Sequence, residues 1–202
     1  MLLLICTLIA SLSYGQNSGN GLKMTSNYSS DNPEIRDIME FEGIDYYKIK
    51  FEGKDLIGKS YHLTVKEFLN GNIVSDSTII NSKEIPHENF QIINDSIFSM
   101  KIISKLTPNK KLKMNLRIGR FGFEREFYTI EAGNYKLRNI AEESRLKIGY
   151  NKKFCLMAYI MPYEKANGIK SYCDVMARGN EAINWWKIFG LKHYFLFELK
   201  FE

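Results

Sequence analysis

The residues most able to do chemistry in this 202-residue chain are its three histidines, its cysteines, its paired carboxylates and a cluster of cations. Each chemistry demands a spacing. His62, His87 and His193 stand far apart. None lies in a His-x-His or His-Glu-x-x-His arrangement, which would bring two ligands to one metal. There is no Gly-x-Ser-x-Gly, so the strained turn that presents a nucleophilic serine is missing. Gly119-Arg-Phe-Gly122 has the glycines of a phosphate loop, but it falls in a predicted β-turn, with no helix N-terminus behind it to meet an anion. Glu124 and Glu126 are a carboxylate pair of the type that glycoside hydrolysis uses. They share a predicted strand face about 7 Å apart by strand rise. Lys111, Lys113 and Arg117 are their expected neighbours, which makes a solvated, salt-bridged face the stronger reading. The sequence implies no cofactor and no metal. A hydrolase would have to assemble its site from distant residues such as His193, Glu198 and Asp174.

Cations concentrate on one predicted hairpin: Lys110, Lys111, Lys113, Arg117 and Arg120, with Lys105 just before it. This is the candidate binding patch. An acidic glycan, lipid headgroups or an acidic envelope protein would suit it. The plainer reading is solubilising charge that also protects strand edges. The formal net charge of +5 is mild and does not argue for nucleic acid. The chain also carries 12 Tyr, 13 Phe and 2 Trp. Tyr46, Tyr172 and Tyr194 fall on predicted polar faces, where an aromatic platform of a carbohydrate-binding module could sit.

The amino-terminal residues address the chain rather than fold it. Leu2–Leu12 is an apolar run and Ser13-Tyr-Gly15 supplies small residues for cleavage, so residues 1–15 read as a signal peptide. A start upstream of Met1 would supply the missing basic n-region. Residues 16–32 are rich in Ser, Asn and Gly and read as a flexible tether. Residues 33–202 are long enough for one domain with a sizeable core. The expected location is periplasmic, extracellular or at the cell surface. No later stretch is apolar enough for a membrane helix. Cleavage removes Cys6 and leaves Cys155 and Cys173, an even pair that suggests a disulfide in an oxidising compartment.

The elements that must position these residues are mostly strands. Ile44–Glu52 alternates, with Tyr47, Ile49 and Phe51 on one face. Lys59–Leu69 and Ile73–Ile80 form a hairpin around Asn70-Gly71-Asn72, with Leu69 facing Ile73, Lys66 facing Asp76 and Thr64 facing Thr78. Ile97–Leu106 is a strand. Leu112–Ile118 and Phe121–Ile130 pair through Gly119-Arg120, which places Lys113 opposite Glu126 and Arg125, oddly, opposite Met114 on the apolar side. Asn139–Ile148 suits a short helix or an edge strand. Phe154–Met161 is apolar on both faces and reads as a central strand. Ile169–Met176 is its expected antiparallel partner, a pairing that sets Cys155 against Cys173. A helix over Asn180–Phe189, capped by Asn180 and stopped by Gly190, leads into His193–Glu202, a strand with one buried aromatic face. The pattern predicts a mainly β domain, an antiparallel β-sandwich, immunoglobulin-like or similar, with one or two short helices, one of them near the C-terminus.

Some of these features resemble small exported proteins of the Bacteroidota whose roles are uncharacterised. They are the Ser13-Tyr-Gly15-Gln16 signal end, the Asn-rich tether, Tyr61-x-Leu63-x-x-Lys66-Glu67-Phe68-x-x-Gly71, and the Trp186…Phe189-Gly190…His193-Tyr194…Phe197-Glu198 ending. The resemblance implies export and no chemistry. The expected role is that of an exported, non-enzymatic protein acting in binding or envelope structure, with carbohydrate binding or a secreted hydrolase as the alternatives.

Overall fold

The computed structural model describes residues 21–130 and 134–202. The expected signal peptide and the first part of the expected tether lie outside them. In chain order the elements are β1 (Lys23–Tyr28), α1 (Pro33–Phe41), β2 (Ile44–Glu52), β3 (Tyr61–Leu69), β4 (Asn72–Asn81), β5 (Ile97–Leu106), β6 (Lys111–Ile118) and β7 (Phe121–Tyr128). There follow β8 (Lys136–Asn139), α2 (Ile140–Glu143), β9 (Phe154–Ile160), β10 (Tyr163–Glu164), β11 (Lys170–Ser171), α3 (Cys173–Met176), α4 (Trp185–Phe189) and β12 (His193–Phe201). Two five-stranded antiparallel sheets result, one in the order β1-β2-β5-β6-β7 and the other β4-β3-β12-β9-β8. They pack face to face as the predicted sandwich.

The first sheet follows its period-2 pattern closely. Tyr47, Ile49 and Phe51 of β2, Phe98, Met100 and Ile102 of β5, and Leu112, Met114 and Leu116 of β6 all point into the core. The β6–β7 hairpin closes through Gly119-Arg120, with φ of 57° at Gly119, and sets Leu116 against Phe123 and Lys113 against Glu126 as expected. Arg125 does stand opposite Met114, and its guanidinium donates to the Ile79 carbonyl of β4 at 3.2 Å. It ties the edges of the two sheets together.

The tether expectation is corrected over part of its length. Lys23–Tyr28 is a strand, paired along β2 from Lys23↔Glu52 to Tyr28↔Tyr47. Its apolar content, Met24 with Leu22 just before it, is too small to alternate visibly, yet both side chains are buried. Asn32-Pro33 starts α1: the Asn32 side chain accepts from the Glu34 N–H at 2.9 Å, and proline occupies the first turn, where its missing N–H costs nothing.

The β3–β4 hairpin keeps Lys66↔Asp76 and Thr64↔Thr78, but Leu69 faces Asn72 rather than Ile73. Asn70 and Gly71 both have positive φ, at 49° and 85°, so the turn has two residues, and bulges restore the register further along. The ring of Trp186 lies so close over Gly71 that an added Cβ would come within 2.5 Å of it.

The second sheet differs more from expectation. β12 is its middle strand, between β3 and β9. His193, Phe195, Phe197, Leu199 and Phe201 are buried as predicted, but so are Tyr194 and Leu196. A third layer covers their side. Phe68, Ala158, Ile160, Tyr194 and Leu196 from the sheet pack with Ile140, Val175, Met176, Ala182, Trp185 and Leu191 from the helices and loops. The C-terminal helix is split into a 3-10 turn at Gly179–Asn184 and α4, and Asn180 does not cap it. Gly190 ends α4 at φ 67°, as expected. Ile169–Met176 is not a strand beside β9. Its strand portion is Lys170–Ser171, paired with β10, and Cys173 opens α3. The expected Cys155–Cys173 bridge is therefore not formed, and both cysteines are free. The partners of β9 are β8 and β12.

Candidate functional site

The residues proposed for a dispersed hydrolytic site go to separate places. His193 is buried. The Tyr135 hydroxyl lies 2.6 Å from its Nδ1, and its Nε2 lies 3.0 Å from Glu67 Oε1. A carboxylate only accepts, so Nε2 carries a proton toward Glu67, and the Tyr135 hydroxyl satisfies the other ring nitrogen. Glu198 lies five residues along β12 on the opposite face, 2.8 Å from Lys66 and 3.8 Å from Lys153. Asp174 pairs with Lys165 at 2.8 Å, which holds its carboxyl below the usual range. His62 bonds Thr78 at 2.9 Å, and the His87 ring lies 5.7 Å from that of Phe121. Cys155 borders Glu198, and burial pushes its thiol well up, away from nucleophilic use.

Of the proposed aromatic platform, Tyr194 is lost to the second core, stacked on Phe68 with centroids 4.6 Å apart. Tyr172 hydrogen-bonds the Asn134 carbonyl and stacks beneath the Arg138 guanidinium at 4.5 Å. Tyr46 remains on the outer face of the first sheet, with Lys48 over its ring at 5.9 Å.

That outer face also decides the fate of the cationic patch. Lys111 is paired with Glu126 at 2.9 Å and Lys113 with Glu124 at 2.8 Å. Both amines are held above their ordinary range by those hydrogen bonds. The carboxylate pair is thus the salt-bridged face that its neighbours predicted. Lys110 takes a turn position at φ 57°, and Arg120 lies exposed in the β6–β7 turn. Arg117 behaves differently. Its Nε donates to Asn115 Oδ1 at 3.2 Å, and no acidic group pairs with it among the described residues.

The register explains what Arg117 belongs to. Lys48 of β2 faces Lys101 of β5, and Lys101 faces Arg117 of β6. Three adjacent strands therefore present a row of cations about 10 Å long, perpendicular to the strands. Like charges directly opposite one another are destabilising. Asp31 relieves one end, bonding Lys48 at 2.6 Å. Lys101, like Arg117, has no acidic partner among the described residues. Beside the row, Thr25, Asn27, Lys50 and Ser99 line a hollow of about 450 Å³ that also includes Lys48 and Lys101. Tyr128 lies on the same face at the far edge, with Lys111 over its ring at 5.2 Å.

Sequence reading located Arg117 and missed Lys48 and Lys101. The available signal was positional: each sits at an outward position of a strand that alternates cleanly, but only the pairing order β2-β5-β6 places them in one row. Among the described residues no group of three or more His, Cys, Asp or Glu is arranged to hold a metal ion, and no helix is long and apolar enough to cross a membrane. Compared with known proteins, the chain matches no family model, no curated protein and no solved structure.

Proposed function

We propose that this chain is an exported, non-enzymatic binding protein that holds an acidic glycan on the outer face of its first sheet. The observation that carries the reading is the Lys48–Lys101–Arg117 row, a concentration of like charge on three adjacent strands. An acidic polymer laid across the strands would relieve its repulsion. The surroundings suit a sugar better than a bare anion. Thr25, Asn27, Ser99 and Asn115 offer short donors and acceptors for ring hydroxyls, and Tyr46 and Tyr128 offer aromatic surface.

The test is calorimetric titration of the intact protein with polygalacturonate and with its methyl-esterified form. The uronate should bind, and its affinity should fall as salt rises, because these charges are exposed and screened. The ester should not bind measurably. Equal binding of the two polymers, or salt-independent binding, contradicts the reading.

A further inference from the structure

A second hollow, of about 450 Å³, opens on the far side of the second sheet. This is within the size range of pockets that take small molecules. Its cations are Arg145, Lys147, Lys152 and Lys153, against one carboxylate, Glu198. Glu198 is already neutralised by Lys66 at 2.8 Å, and Lys153 donates to Thr64 Oγ1 at 3.2 Å. Arg145, Lys147 and Lys152 have no ion-pair partner among the described residues, so the rim is left cationic. The wall is apolar: Leu146, Ala182, Ile183 and Leu196 line it, and Ile183 is 59% exposed there.

The backbone at Arg145 adds an independent observation. Arg145 follows α2 with φ 49°. Its N–H bonds the Glu142 carbonyl at 3.0 Å, and the next N–H, of Leu146, reaches back to the Ala141 carbonyl at 2.9 Å. This is the left-handed helix stop at which glycine is preferred, because a side chain there crowds its own backbone. Arginine at this position works against local stability and puts a guanidinium on the rim of the hollow.

We infer that this hollow is a binding site for a small amphipathic anion, with a carboxylate or phosphate head at Arg145, Lys147 and Lys152 and an aliphatic body along Ile183 and Leu196. The site lies on the other side of the sandwich from the cation row and stands independently of the glycan reading.

Calorimetry on the intact protein tests it, with octanoate, octyl phosphate, inorganic phosphate and octylammonium as probes. Octanoate and octyl phosphate should bind one per chain, inorganic phosphate about tenfold more weakly or worse, and octylammonium not at all. Arg145→Gly should weaken octanoate about tenfold while the melting temperature holds or rises. A fall in melting temperature with unchanged octanoate affinity would make Arg145 a structural residue and overturn the proposal. Failure of both octyl anions to bind, or equal binding of octylammonium, would overturn it too. Anionic phospholipid vesicles that bind the protein while free octanoate does not would overturn a free ligand. Lys101→Glu with Arg117→Glu should leave octanoate binding unchanged, so this site and the sheet face fail or succeed separately.

Discussion

The first sheet keeps one face dry and one wet; the second is dry on both sides through the first half of β12. Charge means different things on the two. On the wet face, cations and carboxylates meet across strands, so Lys111 and Lys113 are neutralised where they are densest in sequence. The uncompensated charge falls where three strands happen to align cations, at Lys101 and Arg117, while Asp31 relieves Lys48 at the end of the row. On the second sheet the outward positions are spent on packing, and the unpaired cations collect instead on the rim of a hollow beside α2. Sequence density of charge is thus a poor guide to field; the cross-strand neighbour decides it.

The sharpest way to break this comparison is to remove the covering layer. Truncation before Gly179 takes away β12, the middle of the second sheet, and should yield no folded protein; a stable soluble truncate would show the first sheet to be self-sufficient. A milder form is Trp185→Ala. Trp185 is fully buried and its indole N–H donates to the Arg178 carbonyl at 2.9 Å. Denaturant titration should show a loss of about 3–5 kcal/mol. Tyr128→Ala, on the wet face, should cost no more than about 0.5 kcal/mol. Comparable losses at the two positions would mean that the helical layer contributes no more than the open face.

His193 probes the seam between the sheets. Its replacement by Ala removes a bonding partner of both Tyr135 and Glu67 from a buried site, and should cost about 1–3 kcal/mol by the same titration. Glu67→Gln keeps an acceptor for Nε2–H and should cost about 1 kcal/mol or less. A larger loss in Glu67→Gln than in His193→Ala would contradict the hydrogen-bond chain assigned here.

The smallest effect at neutral pH is also the easiest to expose with base. Partial burial, and then the carboxylate of Asp45, push the half-exposed Tyr28 up to about 12, and burial pushes Tyr61 to about 12. Tyr47, Tyr159 and Tyr194 move the same way through burial. Unfolded phenols ionise near 10. The fold favours the neutral form, so this stabilisation is complete below pH about 10 and is lost as pH rises from about 10 through about 12. The phenolate absorbance of the buried rings should therefore rise late and together with loss of the β-sheet circular dichroism. Ionisation of every tyrosine near pH 10 with the fold intact would contradict the burial of Tyr47, Tyr61, Tyr159 and Tyr194.

The fold was legible where one face is wet. The bounds of β2 and β5, the inward residues of β2, and the register of β6–β7 followed from alternation and a Gly-Arg turn. Alternation fails where both faces are dry, so β9 was recognisable as central but its partners were not, and Ile169–Met176 was matched to it in error. The supposed disulfide failed with that pairing. β1 was hidden because an edge strand with little besides Met24, and Leu22 just before it, to bury carries no period. Of the candidate site, Arg117 was visible and Lys48 and Lys101 were not, because strand order is a property of the whole chain. The hollow beside α2 had no sequence signature, since its floor and rim come from separate segments.

The most direct measurement sets the two kinds of cation on the first sheet against each other. Polygalacturonate affinity is measured for Lys101→Gln with Arg117→Gln, and for Lys111→Gln with Lys113→Gln. The first pair should lose about tenfold or more, with stability unchanged or slightly raised by relief of the like-charge row, and the second no more than about twofold. A larger loss in the second pair would show that the sequence-dense hairpin, and not the cross-strand row, is the binding surface.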